Sequence, residues 1–434
     1  MDKTNLPGRP VYLVDGRRTP FIKARAAPGP FTASDLAVAA GRPLLTRQPF
    51  PPEALDEVII GCVSPGPEEA NIARIAALRL GCGERVPAWT VQRNCASGMQ
   101  AVDSAAADIA SGRADLVLAG GTEAMSHHPV LFSRAMVQWL GRWSRAHGFG
   151  ARGRLLAKLR PAHLTPVIAL LKGLTDPIVG LTMGQTAEQL AWRFGIDRES
   201  MDRFALRSHQ RLGAARDGGV FDEEIVPVFD REGAIYDGDD GYRADSDLEK
   251  LGRLKPVFDR PTGAVTAGNS AQITDGAAML LLASQEAVER HGLQVLARVR
   301  DSQWAALNPT EMGLGPVHAA APLAARNGLS AGAVDFWEIN EAFAAQVLSC
   351  LAAWSDENYR RDTLRLAGTA APIPEERLNP DGGAISIGHP VGASGARLVL
   401  HLALTLKRRS GRTGIASLCV GGGQGGAMLL ERVS

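Results

Sequence analysis

The amino-acid sequence predicts an α/β fold in which buried strands alternate with alanine-rich helices. In residues 10–123, apolar runs such as VYLVDG, DEVIIG and ADLVLAGG are separated by stretches with helical spacing, which is the pattern of parallel βα units. The same pattern resumes from about residue 263, in segments such as FWEINEAFAAQ and GIASLCVGGG. Residues 124–262 contain few strand signals, so two βα regions flank one segment of different composition.

The two βα regions end in similar segments. Cys95 is followed by ASG, a helical stretch and GRADLVLAGG, and His389 is followed by GASG, a longer helical stretch and GRTGIASLCVGGG. This order favours a duplicated doubly wound unit, although any two βα units share part of it. In such a fold, functional loops lie beyond the carboxyl ends of the strands.

Composition excludes several classes of protein. The 434 residues are 45% hydrophobic and 21% charged, with a formal net charge of +1, which is typical of a soluble globular protein without general affinity for nucleic acid. The first residues lack the apolar segment of a signal peptide, and no apolar run approaches the ~20 residues of a membrane span. The five cysteines have no zinc-site spacing. We therefore expect a cytoplasmic protein with reduced thiols and no bound metal.

Cys95 lies where an apolar strand gives way to a helix, in the segment VQRNCASGMQAVDSAAADIASG. The helix is apolar on nearly all sides and is expected to be buried, with its N-terminal N–H groups directed toward Cys95. This position is predicted to lower the pKa of the thiol from its usual value of about 8.5 and to make it a better nucleophile. The alternative is an inert buried cysteine, which is the more common role of this residue.

Two further segments place reactive side chains in glycine-rich loops. In GGAISIGHPVGASGAR, His389 stands between Gly388 and Pro390 after a predicted strand, so its imidazole should be held rigidly. A histidine near a thiol is a base that can form the thiolate. In SLCVGGGQGG, Cys419 ends a strand before consecutive glycines, whose N–H groups can bind an oxyanion. The glycine run is also consistent with a simple tight turn.

Asn340 and Glu341 lie at the junction between a strand and a helix in WEINEAFAAQ. Taken alone, the motif favours Asn340 as the N-cap of the helix, because asparagine is a preferred capping residue. The alternative is that the Asn340 amide orients a water molecule or a substrate carbonyl.

Five segments occur in a fixed order over nearly the whole chain: NCASGMQA, VTAGNSAQITDGAA, NEAFA, GGAISIGHPVGASGAR and CVGGGQGGA. This combination resembles the thiolase family. The resemblance implies a five-layered αβαβα fold with two duplicated core domains and an inserted loop domain. The N-terminal core domain would span 1–123 and be completed by about 263–285, the loop domain would span 124–262, and the C-terminal core domain 286–434.

The resemblance also implies a role for each motif. Cys95 would attack a 3-ketoacyl-CoA and carry the acyl group as a thioester, with His389 as the activating base. Cys419 would protonate the departing acetyl-CoA carbanion. Asn340, through a water molecule, and His389 would form one oxyanion hole, and the N–H groups of Cys95 and Gly421 would form the other. CoA and acyl-CoA would be substrates, and no resident cofactor is implied.

By the same resemblance, residues from several segments would line the pantetheine channel of CoA: Met183, Phe258, Ala267, Gly268, Ser270, Ala342 and Phe343. Two positions depart from related sequences. Thr182 stands where some members of the family have histidine, and Ser270–Ala271 replaces the Ala-Ser of many biosynthetic members. The serine contact with CoA is therefore expected to differ from that of biosynthetic enzymes.

The predicted branch is the degradative 3-ketoacyl-CoA thiolase, of the β-subunit type found in fatty-acid-oxidation complexes. A long segment between NEAFAAQV and GGAISIGHP looks like the extension of that branch. The alternatives are a biosynthetic acetyl-CoA acetyltransferase, a ketoacyl synthase and a non-catalytic acyl-CoA-binding scaffold. A ketoacyl synthase would be expected to have histidine at position 340 and no cysteine at position 419.

Residues 124–175 contain no Asp or Glu, whereas eight Lys and Arg residues lie within 134–172. One interpretation is a solvated helical hairpin with a basic face. The other is a surface for an acidic partner subunit, an anionic membrane or the phosphates of CoA. Analogy with the family favours docking to a hydratase–dehydrogenase α subunit, and a homodimer or tetramer for the chain itself.

Overall fold

The structure is a computed structural model that describes residues 6–25, 27–366 and 371–433. In the described ranges, six strands have eight or more residues and the others have five or fewer. In chain order they are β1 (Val11–Arg18), β2 (Ile22–Lys23), β3 (Glu57–Gly61), β4 (Ala88–Val91), β5 (Leu116–Ala124), β6 (Val130–Leu131), β7 (Val167–Ile168), β8 (Val228–Phe229), β9 (Ile235–Tyr236), β10 (Thr274–Ser284), β11 (Ala297–Ala306), β12 (Phe336–Ile339), β13 (Thr413–Val420) and β14 (Gln424–Glu431).

The helices connect these strands and cover both faces of the sheet. In chain order they are α1 (Ala33–Thr46), α2 (Ile72–Arg79), α3 (Ser97–Ala110), α4 (Arg134–Trp143), α5 (Phe149–Leu156), α6 (Pro161–Leu164), α7 (Ala169–Gly173), α8 (Met183–Phe194), α9 (Arg198–Asp217), α10 (Leu248–Gly252), α11 (Gln285–His291), α12 (Gly315–Arg326), α13 (Ala344–Ser355), α14 (Glu357–Asp362), α15 (Ala384–Ile387) and α16 (Val391–Arg408). None of the described helices is long and apolar enough to cross a membrane.

The two halves of the sheet repeat one topology. The strand order is β12-β13-β14-β11-β1-β10-β5-β3-β4, and β3 pairs with β5 in the same parallel sense as β12 with β13. In each half the next two pairings are antiparallel. The halves join where β1 pairs with β11 over three residues. This repetition agrees with the predicted duplication. The sheet is mixed, however, because β10 in the first half and β14 in the second run antiparallel to both of their neighbours.

Helices α3 and α16 pack against each other between the two halves of the sheet. They share one apolar core with the inward faces of both halves. On the outer faces, α1 and α2 cover the N-terminal half around a second core. Helix α12 covers the C-terminal half, with α13 and α8 packed beyond it around a third core. The predicted α/β fold with five αβαβα layers is therefore confirmed.

The region between β5 and α8 lies outside these layers. It holds the antiparallel pair of β6 and β7 and helices α4 to α7, in which no residue is buried. Between the end of β5 and α10, each of the described strands is only two residues long. The scarcity of strand signals in this segment predicts this. The amphipathic helices of this region therefore leave apolar side chains facing outward.

Candidate active site

Three of the chemically reactive side chains lie at or just beyond the ends of strands of the sheet. Cys95 lies between β4 and α3, Asn340 directly after β12, and Cys419 one residue before the end of β13. His389 precedes α16, the central helix of the C-terminal half. Strands β3, β4 and β5 run parallel, as do β12 and β13, so these loops lie at carboxyl ends of strands, where ligands bind in α/β proteins.

Glycines in the two ASG motifs allow the starts of α3 and α16 to touch. A Cβ atom built on Gly98 would lie 2.7 Å from the carbonyl oxygen of Gly392, and one built on Gly395 would lie 2.5 Å from the backbone nitrogen of Met99. Both distances are shorter than any contact a side chain can make, so only glycine permits this crossing. Cys95 and His389 each precede their helix by a few residues, so both residues lie close to this crossing.

Cys95 is half-buried, and the N–H of Gly421 hydrogen-bonds its sulfur. The hydrogen bond lowers the pKa of the thiol, but burial acts more strongly in the opposite direction and raises that pKa to about 11. The predicted acidic thiol is therefore wrong for the protein without substrate. The sequence shows a helix N-terminus, but it does not show the loss of water around the sulfur, which disfavours the thiolate.

His389 is held by hydrogen bonds at its backbone nitrogen and at Nδ1. Its backbone N–H donates to the Gln272 carbonyl at 3.0 Å, and its Nδ1 lies 2.6 Å from the Ser394 hydroxyl. That hydroxyl donates to the carbonyl oxygen of Pro390 at 3.0 Å, so it accepts from Nδ1–H. The Nε2 atom then carries the free lone pair. Burial and nearby Arg397 lower the pKa of His389 to about 4, so the imidazole is neutral and available as a base.

Asn340 faces His389 and does not cap the helix that follows. Its Nδ2 lies 3.5 Å from Nε2 of His389, and α13 begins later, with Phe343 at the N-cap position. The capping interpretation is therefore wrong. Asn340 is fully buried, and among the described residues its Oδ1 atom has no hydrogen-bond partner. A buried amide oxygen of this kind requires a partner such as water or ligand.

Cys419 is buried at the end of β13, as the sequence predicts. Burial, together with Cys95 and Cys350 nearby, holds the pKa of its thiol well above the usual value. Cys419 is therefore a neutral thiol beside a second neutral thiol, and both face the turn that begins at Gly421. Two thiols and the backbone N–H of Gly421 thus lie close together at the end of β13.

Comparison with known proteins identifies the family. The description "Thiolase, N-terminal domain" matches residues 11–286, and "Thiolase, C-terminal domain" matches residues 293–432. The chain belongs to the thiolase family. It is 41% identical to a beta-ketoadipyl-CoA thiolase of Pseudomonas aeruginosa, over 98% of this chain and 100% of that protein. It is 36% identical to the mitochondrial trifunctional enzyme subunit beta of Bos taurus, over 98% of this chain and 88% of the relative.

A solved structure agrees with this assignment. The crystal structure of human mitochondrial 3-ketoacyl-CoA thiolase matches with a TM-score of 0.83 and 35% identity, over 98% of this chain and 99% of the human chain. The protein is therefore an acyltransferase of the thiolase family.

Two buried carboxylates of this thiolase, Glu341 and Glu123, brace the loops around the site, and this role was not predicted from the sequence for either. Glu341 accepts hydrogen bonds from Ser208 at 2.6 Å, from the Asn379 amide at 2.8 Å and from the Ile385 N–H at 3.3 Å. These contacts hold the segment before His389 as the short helix α15, so the strand predicted there is wrong. An apolar run gives no sign that a distant carboxylate will bind its backbone.

Glu123 performs a similar task on the other side of the thiolase pocket. Its carboxylate accepts the N–H of Val63 at 2.8 Å, of Ser64 at 3.0 Å and of Gly392 at 3.1 Å. It therefore ties the loop after β3 to the first turn of α16. The only sequence signal is an acidic residue inside the otherwise apolar strand β5.

The residues predicted to line the pantetheine channel lie near one another, and all except Ala267 are buried or half-buried. Met183 is beside Gly421, and the rings of Phe258 and Phe343 pack edge to face with centroids 5.8 Å apart. The carbonyl of Ala342 accepts the N–H of Ala271 at 2.9 Å, which joins the two loops. Ala267 is exposed on the surface of its loop, whereas Gly268 and Ser270 are buried.

Two of the positions that depart from related sequences have local structural roles. The Ser270 hydroxyl donates to the carbonyl of Thr266 at 2.6 Å, so it is engaged within its own loop. Thr182 caps α8 and forms a capping box with Gln185. In the described ranges, no group of three or more His, Cys, Asp or Glu side chains is arranged to hold a metal ion.

Proposed function

We propose that this thiolase cleaves 3-ketoacyl-CoA with CoA, giving acetyl-CoA and a shortened acyl-CoA through an acyl-Cys95 intermediate. The observation that carries the proposal is that the Gly421 N–H and Cys419 both lie close to the Cys95 sulfur. The crossing of α3 and α16 and the Asn340–His389 pair that precedes α16 support it. A nucleophile, a base, a second thiol and two sets of oxyanion donors are the groups this reaction requires.

In the first half-reaction, His389 Nε2 accepts the Cys95 proton as the sulfur attacks C3 of the substrate. The C2–C3 bond then breaks, and its electron pair remains on C2 of the leaving acetyl-CoA. Cys419 donates its proton to C2, which leaves an acyl-Cys95 thioester and a Cys419 thiolate. A thiol with a raised pKa suits this step, because it stays protonated until the carbanion forms.

In the second half-reaction, the proton on His389 passes to the Cys419 thiolate and restores the neutral imidazole. His389 can then accept the proton of an incoming CoA thiol as that sulfur attacks the acyl-Cys95 carbonyl. The C–S bond to Cys95 breaks, and Cys95 regains a proton from His389. Charge and protons balance over the cycle without a metal or prosthetic group, so the proposed ligands are CoA and its acyl thioesters.

The proposed physiological direction is degradation, as in fatty-acid β-oxidation in the cytoplasm. The relatives named for 3-ketoacyl-CoA and beta-ketoadipyl-CoA support cleavage but differ in substrate. A dicarboxylic 3-ketoacyl-CoA is therefore the second candidate substrate, and acetoacetyl-CoA synthesis is the biosynthetic alternative. We also propose a homodimer or tetramer, because β4 ends the ten-stranded sheet with an open edge in the described part of the chain.

Cleavage of 3-ketooctanoyl-CoA is expected to have a kcat/KM about 100-fold above that of acetoacetyl-CoA. The longer substrate has about four more methylenes, and each buried methylene contributes about 0.8 kcal/mol. Steady-state kinetics over a chain-length series that includes 3-oxoadipyl-CoA measures this ratio. A preference for 3-oxoadipyl-CoA would assign the dicarboxylic substrate instead, and condensation of acetyl-CoA faster than any cleavage would contradict the degradative direction.

The proposed partner is a hydratase–dehydrogenase subunit that docks on the basic apolar surface, which we define as the outward faces of residues 130–172. Its apolar side chains are more exposed than is usual for such residues, with Phe149 at 98% and Val130 at 66%. No Asp or Glu occurs in residues 124–175, so a second copy of this surface would be repelled. The relative named trifunctional enzyme subunit beta supports a partner of this class.

The triple substitution Arg152→Glu, Arg154→Glu and Arg160→Glu is expected to abolish co-purification with the hydratase–dehydrogenase subunit of the same cells. Reversal of three charges on the contact surface replaces attraction by repulsion, while cleavage of short substrates should stay unchanged. The matched control reverses three exposed arginines elsewhere, Arg85, Arg113 and Arg231. Retained association would contradict docking at this surface. Loss of binding to anionic phospholipid vesicles, with partner binding retained, would assign the surface to a membrane.

A further inference from the structure

The residue before Cys95 reaches across the pocket to the glycine turn after β13. Asn94 has a positive φ of 44°, a left-handed conformation that asparagine adopts more readily than other side-chain-bearing residues. This conformation places its side chain toward residue 421, and its Nδ2 donates to the carbonyl oxygen of Gly421 at 2.8 Å. The contact joins the two halves of the molecule across 327 residues of sequence.

Both backbone groups of Gly421 are therefore held by neighbouring residues of one loop. Asn94 holds its C=O, and the sulfur of Cys95 accepts its N–H. The turn joins the paired strands β13 and β14, but residues 421–423 are all glycine and two of them have positive φ, so the turn's own side chains do not fix it. Its far end is anchored where the carbonyl of Gly423 accepts the N–H of Leu307 at 2.8 Å. Fixing the C=O of a glycine limits rotation of the same residue's N–H.

We propose that Asn94 is a positioning residue that orients the Gly421 N–H toward the Cys95 sulfur. The same N–H then faces the oxyanion that forms on the carbonyl oxygen of the acyl group attached to Cys95. This inference rests on the proposed function and extends it to a residue outside the reacting groups. Asn94 does not touch the reacting atoms in this proposal. It acts by keeping one N–H donor preorganised, and preorganised donors are the main source of oxyanion stabilisation.

Gln92 extends this contact into a chain of two hydrogen bonds, from Gln92 to Asn94 and from Asn94 to Gly421. Its Nε2 atom donates to Oδ1 of Asn94 at 3.3 Å, which requires the Asn94 Nδ2 group to face Gly421. An aspartate at position 94 would keep the size and the left-handed backbone but would set a carboxylate oxygen against the Gly421 carbonyl. It would also add a negative charge close to the sulfur, which disfavours the thiolate.

The variants Asn94→Gly and Asn94→Asp separate the hydrogen bond from the backbone conformation, because both residues tolerate a positive φ. We expect Asn94→Gly to lower kcat about tenfold, less than the 10²–10³-fold loss of a complete oxyanion donor, with KM for CoA within about twofold. Alkylation of Cys95 by iodoacetamide at pH 8, followed by peptide mass spectrometry, should slow by a similar factor. Asn94→Asp should lower both rates further.

A second substitution tests whether Gln92 acts through Asn94. Gln92→Ala should lower kcat a few-fold in the wild-type background and have no further effect in Asn94→Gly. Unchanged alkylation and kcat in Asn94→Gly would overturn the proposal, as would a parallel loss of Tm and activity that is restored at lower temperature. The alkylation rates do not depend on thiolase turnover. A slowed alkylation in Asn94→Gly with no cleavage by the wild-type protein would therefore contradict the proposed function and not the role of Asn94.

Discussion

Replacement of Cys95 by alanine is expected to lower kcat for cleavage of 3-ketoacyl-CoA at least about 10⁴-fold, the scale of loss when a catalytic nucleophile is removed. The variant should also show no acyl adduct by mass spectrometry after incubation with acetyl-CoA. The reason is that the Gly421 N–H acts on the Cys95 sulfur, and Cys95 precedes α3 just as the neutral His389 imidazole precedes α16, the helix that α3 crosses. Without the sulfur, the C2–C3 bond has no covalent route to cleavage.

The matched control is Cys82→Ala, because Cys82 is also a free cysteine but lies in the core around α1 and α2. It should retain the acyl adduct and full turnover, with at most a small loss of stability from the removed sulfur. A Cys95→Ala protein that cleaves substrate at the wild-type rate would contradict the assigned nucleophile. An adduct on a different cysteine would move the site, and a missing adduct in wild type would favour a non-catalytic scaffold.

The layered fold follows from local signals, since the period of the apolar residues is enough to separate strands from helices. Helix α3 is buried on nearly all sides, as its alanine-rich sequence predicts. The direction of individual strands could not be predicted in the same way, because β10 and β14 run antiparallel to their neighbours. Their apolar runs resemble those of buried parallel strands, and only the path of the whole chain determines their direction.

The convergence of the site depends on contacts that a linear sequence does not express. The motifs around Cys95, Asn340, His389 and Cys419 identify the chemistry only as a set that resembles one family. What brings them together is the close crossing of α3 and α16, which needs glycine at 98 and 395. From sequence alone, glycine within a helix is expected to destabilise that helix. Here Gly98 and Gly395 instead allow the close contact between α3 and α16.

The electrostatics of the site could not be predicted from motifs, because burial has the larger effect. A helix N-terminus and the Gly421 N–H both favour a thiolate at Cys95, yet desolvation raises the pKa to about 11. Burial also lowers the pKa of His389 to about 4. The two groups therefore start as a neutral thiol and a neutral base, and charge separates only when the substrate carbonyl is present to accept it.

Replacement of Cys419 by alanine is expected to separate the two half-reactions of the thiolase. Cleavage of the C2–C3 bond should fall about 10³-fold, within the range for loss of a general acid, because no proton is available for C2 of the leaving acetyl-CoA. Transfer of an acyl group between Cys95 and CoA needs only Cys95 and His389 in the proposed cycle. Exchange of isotopically labelled CoA into acyl-CoA should therefore continue near the wild-type rate, whereas exchange of the α-hydrogens of acetyl-CoA with deuterated water should stop.

Cys350 provides the matched control, since it is also buried and lies close enough to raise the pKa of Cys419. Its sulfur donates to the Gly313 carbonyl at 3.0 Å, outside the pocket, so Cys350→Ala should retain both exchanges and cleavage. Loss of CoA exchange in Cys419→Ala would contradict a role confined to C2, because that exchange makes and breaks no bond to carbon 2. Retained α-hydrogen exchange would assign the proton to another group, for which the neutral His389 imidazole is the candidate. The two exchange reactions thus distinguish the two thiols, because Cys95 forms and breaks the thioester bond whereas Cys419 transfers the proton to and from C2.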